Sequence, residues 1–104
     1  MALTVEVLQQ GDIRVVRVRG EVDLNSSPQL RAAILNGVGD GTGIGVDLRD
    51  IQYMDSSGVA TLVEGLKACM SKKLSFLLLA PSVPVMKVLK LARLDSLFRI
   101  QETL

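Results

Sequence analysis

Apolar and polar positions alternate at the start of the chain. Leu3, Val5 and Val7 fall on every second residue, the period of a strand with one buried face. Gln10-Gly11-Asp12 supplies turn chemistry, and Ile13 to Val18 follows, rich in β-branched residues. Two such runs joined by a short glycine-containing loop predict a hairpin. After Gly20-Glu21-Val22-Asp23 the period changes: Leu30, Ala33, Ile34, Gly37 and Val38 are spaced i, i+3, i+4, i+7 and i+8, one face of a helix. Asn25-Ser26-Ser27-Pro28 precedes that face. A serine before a proline predicts the helix start, because its hydroxyl caps an orphan amide and proline at the first helical position forfeits no hydrogen bond.

Gly37, Gly39, Gly41, Gly43 and Gly45 predict a loose loop, Ile44 to Leu48 a short strand, and Arg49 to Met54 a connector. Asp55-Ser56-Ser57-Gly58 opens a second helix, with an apolar face of Val59, Leu62, Val63, Leu66, Cys69 and Met70 and an end at Lys72-Lys73. Leu74 to Ala80 is a continuous apolar run of strand length, as in a strand buried on both faces. Pro81-Ser82 turns into a third helix that carries Pro84 in its first turn and runs to about Ala92. Leu97 to Ile100 reads as a short last strand or a helical turn. The predicted order is β-β-α-β-α-β-α, an α/β fold with a mixed sheet: an N-terminal antiparallel hairpin, then parallel strands, with about three to four helices. Ile44 to Leu48 and Leu74 to Ala80 are expected as adjacent parallel strands, because a helix lies between them in sequence.

The 104 residues suit one domain spanning residues 1–104, and 48% hydrophobic content supports one modest core. Twelve Lys and Arg against eleven Asp and Glu give no electrostatic case for direct nucleic-acid binding, and 3% aromatic content gives none for a base-stacking platform. With no His and one Cys, His-dependent catalysis, a conventional zinc site and an internal disulfide are excluded. The N-terminus lacks the basic-then-apolar pattern of a signal peptide. The apolar runs Phe76 to Pro81 and Val83 to Leu94 fall short of the roughly 20 residues of a membrane span. A cytoplasmic protein without membrane insertion is expected.

The glycines between Gly37 and Gly45 do not make a phosphate cradle. No Lys-Ser/Thr follows them, and they come after a helix and before a strand, the reverse of the order in which a helix N-terminus faces an anion. Cys69 lies on an apolar helix face and reads as a small hydrophobe. Asp55-Ser56-Ser57-Gly58 carries the most information. It reads as a helix cap, and also as a phosphoacceptor site, since a helix N-terminus tolerates the charge and the acceptor oxygens of a phosphoserine. A catalytic serine would need a base that this chain does not place nearby, so no catalytic residue, metal site or cofactor is expected.

Val46-Asp47-Leu48, Tyr53-Met54 and Asp55-Ser56-Ser57-Gly58-Val59 together resemble the signature of the STAS family, which includes the bacterial anti-sigma factor antagonists. Gly20-Glu21-Val22-Asp23 resembles the family's Gly-Glu-hydrophobic-Asp motif, and Pro81-Ser82-Val83 through Leu94-Asp95-Ser96-Leu97-Phe98 resembles its C-terminal helix and exit. The resemblance spans nearly the whole chain and implies a non-enzymatic partner switch. In that switch the unphosphorylated form binds an anti-sigma factor that is also a serine kinase, and so releases a sigma factor. Phosphorylation dissociates the complex and a serine phosphatase restores it. By position, Ser56 matches the phosphoacceptor and Ser57 its neighbour. Asp23 matches an acidic residue close to the site, and Asp55 and Gly58 match the positions that shape the loop.

The third helix points elsewhere. Val83, Val85, Met86, Val88, Leu89, Leu91 and Ala92 surround it on most sides, with only Lys87, Lys90 and Arg93 charged. A helix resting on a sheet needs an apolar stripe, so the surplus either contacts a partner or is covered by the tail. Free-standing STAS proteins also serve as cytoplasmic subunits of lipid-transporting ABC permeases, and that is the alternative the resemblance implies.

Overall fold

The computed structural model describes residues 2–104. The N-terminal hairpin is β1 (Thr4–Gln10) and β2 (Ile13–Val22), paired antiparallel from Thr4 opposite Arg19 to Gln10 opposite Ile13. The helix α1 (Ser27–Gly39) crosses to β3 (Gly43–Met54), α2 (Ser56–Ser71) to β4 (Phe76–Leu79), and α3 (Val83–Leu91) to β5 (Arg99–Gln101). Each crossover delivers a parallel neighbour, so the sheet order is β1-β2-β3-β4-β5 with only the first pair antiparallel. This is the mixed sheet with three helices expected from the sequence. Ile44 to Leu48 pairs parallel with the following strand, as Ile44 opposite Phe76 through Asp47 opposite Leu79. No helix among the described residues is long and apolar enough to cross a membrane.

All three helices pack on one face of the sheet. Val16, Val18, Val46 and Leu78 share a core with Leu30 and Ile34 of α1, Leu62 of α2 and Leu89 of α3. The alternate strand residues Val15, Leu77 and Leu79 form a separate cluster that contains no helix residue. On that open face a charged ladder replaces a helical layer. Asp47, only 2% exposed, accepts from the Arg17 Nε at 3.4 Å and the Arg49 Nε at 3.0 Å, and Arg17 reaches Glu6 at 3.5 Å. The cross-strand register places Arg17 directly beside Asp47, so the buried carboxylate is paired where the strands themselves put it.

Several boundaries differ from the sequence expectation, each for a physical reason. The predicted connector from Arg49 to Met54 is the second half of β3, and the strand before α1 runs on to Val22, because the two extend together to Val22 opposite Met54. Arg49, Asp50, Gln52 and Tyr53 look like loop residues because this half of the strand carries exposed side chains while Ile51 and Met54 fill the core. The glycine-rich loop shrinks to Asp40–Thr42: Gly37 and Gly39 are helical, and Gly43 and Gly45 lie in β3. Of these five glycines only Gly41, at φ +79°, has the left-handed backbone that favours glycine, and there it closes α1 as the Thr42 amide reaches back to the Gly37 carbonyl. Lys73 (φ 58°) and Arg93 (φ 59°) hold the equivalent positions after α2 and α3, so neither of those ends is marked by a glycine. The run from Leu74 to Ala80 contributes a strand only over Phe76–Leu79, the third helix ends at Leu91, and the tail resolves into β5 over Arg99–Gln101.

The second helix is rotated from its expected orientation. Its buried residues are Gly58, Val59, Thr61, Leu62, Gly65 and Cys69. Small residues on the inner face let the helix lie close to the sheet, and the space they vacate is filled by neighbours: a Cβ at Gly65 would meet Phe76 Cε1 at 2.8 Å. Val63 therefore sits at the edge of the buried face and Met70 is exposed, although both were expected on the inward face.

Candidate functional site

The extended halves of β2 and β3 end together, and each feeds a helix from an aspartate. The Asp55 amide donates to the Val22 carbonyl at 3.2 Å, which ties the second junction to the residue just before Asp23. The structure thus brings Asp23 and Asp55-Ser56-Ser57-Gly58 to one end of the sheet.

At the first junction Asp23 is a local clamp. Its Oδ1 accepts from the amides of Asn25 (2.9 Å) and Ser26 (3.0 Å), an Asx turn. Ser26 Oγ accepts from the Asp23 amide at 2.9 Å and donates to the Glu21 carbonyl at 2.8 Å. The Ser26 amide, and then its hydroxyl, hold the Asp23 carboxyl below the usual carboxylate range. Ser26 is the residue flanking α1, but its hydroxyl makes no bond to a helical amide, and Pro28 sits one position later than a proline at the first helical residue would. The expected serine cap is replaced by this aspartate-serine network.

At the second junction Asp55 is the N-cap of α2 in extended backbone, and its Oδ1 accepts from the Ser57 amide at 3.0 Å. The Ser57 hydroxyl donates to the same oxygen, and the Asp55 carbonyl accepts from the amides of Gly58 (3.1 Å) and Val59 (3.2 Å). Thr61 Oγ1 donates to the Ser57 carbonyl at 3.0 Å, closing the first turn. Gly58 is buried against the sheet, where a Cβ would meet Met54 Cγ at 2.6 Å and Val22 Cγ1 at 2.9 Å. Its role is close packing of α2 onto the ends of both strands.

Ser56 is the exception. It is exposed, it is the first residue of α2, and its hydroxyl has no hydrogen-bond partner among the described residues. It also lines a groove of about 460 Å³ between α2 and α3. The walls are Val59, Ala60 and Val63 on one side and Val88, Ala92 and Leu94 on the other, with Glu64 and Lys67 at the rim. Glu64 is held in place by Arg31 of α1, with Nη2 to Oε2 at 2.7 Å, and the guanidinium's hydrogen bonds lower the Glu64 pKa. The strand ends add two exposed apolar side chains, Leu24 (77%) and Tyr53 (48%).

The sequence reading had not found this groove. Of its lining residues, Val59 is buried as the helical spacing predicts, Val63 is only partly buried, and Ala60 carries no signal of its own. Gly58, Thr61 and Gly65 shift the buried face, which places Val63 at its edge and leaves Ala60 exposed beside Ser56. Nothing in the arrangement holds a metal: no group of three or more Cys, Asp or Glu residues among those described converges on one point. The chemistry the site offers is a free hydroxyl at a helix N-terminus, next to a fixed carboxylate and an apolar surface.

The family model of the STAS domain matches residues 4–104. Among curated proteins, the anti-sigma-B factor antagonist of Staphylococcus aureus (strain NCTC 8325 / PS 47) is 30% identical over 103 residues, which cover 98% of this chain and 95% of that protein. The crystal structure of an anti-sigma factor antagonist from Mycobacterium paratuberculosis superimposes with a TM-score of 0.85 at 27% identity, covering 99% of this chain and 88% of that one. The structure of the Bacillus cell fate determinant SpoIIAA in its phosphorylated form superimposes with a TM-score of 0.72 at 26% identity, covering 95% and 90%.

Proposed function

The chain belongs to the STAS domain family, and from that premise we propose that it is an anti-sigma factor antagonist switched by phosphorylation at Ser56. Unphosphorylated, it binds an anti-sigma factor that is also a serine kinase and so frees a sigma factor. The kinase modifies Ser56 and the complex dissociates, and a serine phosphatase resets the switch. Its role is regulatory and non-enzymatic, and the place of action is the cytoplasm. The names of the similar proteins support the antagonist role, and one of the structural neighbours is itself a phosphorylated form.

The observation that carries the reading is the contrast among the serines of the site. The hydroxyls of Ser26 and Ser57 are engaged, Ser27 is buried, and Ser56 alone is exposed and unbonded beside an apolar groove. A phosphate there adds a charge of about −1.5 to −2 to a junction that already holds Asp23 and Asp55. The helix N-terminus offsets part of that charge within the fold, so the fold tolerates it. A partner covering the groove would have to desolvate it, and binding is lost. The surface that meets the partner consists of the α2–α3 groove together with Leu24 and Tyr53.

The test is incubation of parent and Ser56→Ala proteins with the cognate anti-sigma kinase and ATP, followed by mass-spectrometric mapping. Phosphate is expected on Ser56 of the parent and on no serine of the variant, which still binds the kinase. Ser56→Asp should bind at least about tenfold more weakly, a change of about 1.4 kcal/mol, with unchanged circular dichroism. Phosphate on Ser57 alone would overturn the assignment. Phosphate on neither serine would turn the reading towards the ABC permease subunit.

A further inference from the structure

The third helix is apolar on two opposite sides. Val85 and Leu89, four residues apart, are fully buried against the sheet. Val83, Lys87 and Leu91 occupy the opposite crest at the same four-residue spacing, and Val83 and Leu91 are 82% and 77% exposed. The tail does not cover these two side chains. Pro81, Val83 and Met86 line a hollow of about 410 Å³ whose remaining lining residues are Lys87 and Lys90. This hollow lies on the far flank of the helix from the Ser56 groove, and the two share no lining residue.

The charges that line this hollow are both lysines. Arg14, Arg17, Arg31 and Arg49 each have a carboxylate within 4 Å. Lys87, Lys90 and Arg93 have none among the described residues, as is also true of Arg19, Lys67, Lys72, Lys73 and Arg99, but here the cations border an exposed apolar crest on a helix that carries no acidic side chain. Three unneutralised cations around an exposed aliphatic crest are complementary to a surface that alternates aliphatic and acidic groups.

We propose that the outer flank of α3, formed by Val83, Met86, Lys87, Lys90 and Leu91, is a second docking surface, which takes an acidic amphipathic helix of a protein partner. The shape favours a helix over a lipid surface. An interfacial helix needs a continuous apolar face, whereas here Lys87 and Lys90 lie between Val83 and Leu91 along the helix and the apolar ground beside the lysines, Pro81, Val83 and Met86, forms a hollow. A helix with aliphatic anchors at i and i+4 or i+7 seats one side chain in such a hollow and sets its flanking carboxylates against the lysines. The proposal does not depend on the Ser56 switch.

The test uses a helical peptide with leucines at i, i+4 and i+7 and glutamates on both sides of that stripe. Its controls are the same composition in scrambled order and an analogue with lysine in place of each glutamate. Binding is followed by methyl NMR of the intact chain. Shifts are expected at Val83, Met86 and Leu91 and not at Val59 or Val63. Lys87→Glu combined with Lys90→Glu should weaken binding at least about tenfold, and Leu91→Gln severalfold, with melting temperatures unchanged because these side chains are exposed. No binding, equal binding of the scrambled peptide, or shifts confined to the Ser56 groove would overturn the proposal. So would sedimentation of the chain with phosphatidylglycerol–phosphatidylcholine vesicles that Lys87→Glu/Lys90→Glu abolishes, or self-association through Leu91 in analytical ultracentrifugation.

Discussion

The two strand-to-helix junctions at one end of the sheet start from similar materials and reach opposite results. Asp23 is followed by Ser26-Ser27 and Asp55 by Ser56-Ser57, and both aspartates use Oδ1 to collect backbone amides. At the first junction two residues separate the aspartate from its serines. The extra length folds Ser26 back onto the Glu21 carbonyl and buries Ser27. At the second no residue intervenes. Asp55 is the cap itself, Ser57 falls within reach of its carboxylate, and Ser56 is left pointing outward with nothing to bond. Spacing after the aspartate, and not the presence of serine, separates a locked junction from one open to modification.

The sharpest way to break the comparison is at Gly58, where the open junction is anchored. Gly58→Val should destabilise the fold by about 2 kcal/mol, because its branched side chain must displace Met54 and Val22. That corresponds to a fall in melting temperature of about 10 °C. Ser57→Ala, which loses one hydroxyl bond while the amide stays capped, should fall by about 1 kcal/mol or less. Equal melting of Gly58→Val and the parent would mean that α2 is not seated on the strand ends as described.

A smaller effect separates the serines themselves. Ser26→Ala removes a hydroxyl that bridges the Asp23 amide and the Glu21 carbonyl, and it should lower stability by about 1 kcal/mol. Ser56→Ala removes no hydrogen bond and should stay within about 0.5 kcal/mol of the parent. Urea unfolding of the two variants side by side reads the difference, and matching midpoints would erase the distinction between the junctions.

The smallest effect is in the pH dependence. The folded Asp23 carboxyl titrates below its ordinary value, chiefly because of the Ser26 amide. Its contribution to stability is therefore complete above about pH 4 and is lost as the pH falls through the lower folded value. Asp23→Asn should be less stable than the parent at pH 7, and the gap should close in acid. Thermal melts at pH 7 and pH 3 measure it, and a gap that widens in acid would contradict the clamp.

Much of the architecture was legible because it rests on local patterns. The alternation in β1, the 3.6-residue spacing in α1 and the apolar run at β4 each mark their element, and a helix between two strands already implies a parallel crossover. The Asp55 cap was legible for the same reason, since an aspartate and a serine two residues apart complete it without help from elsewhere. Boundaries were legible only where a local residue enforces them. Gly41 closes α1 as a glycine should, whereas Lys73 and Arg93 take the same left-handed backbone with no glycine to mark it.

By itself the sequence determined the order of elements, the mixed sheet and the position of Asp55-Ser56-Ser57-Gly58 at a helix start. All of these follow from hydrogen bonds and periodicities within a few residues. The tertiary structure alone decided that β3 continues to Met54, that Gly58, Thr61 and Gly65 join Val59, Leu62 and Cys69 on the inner face of α2, and that Ser56 is the serine left free. It also decided that one side of α3 stays uncovered. Burial produces each of these outcomes. A side chain is buried or exposed according to what packs against it from a distant part of the chain, and no local pattern records how closely two elements approach. Where Gly58 and Gly65 let α2 come down onto Met54, Val22 and Phe76, the buried face shifts, and that shift leaves Ala60 exposed in the groove beside Ser56.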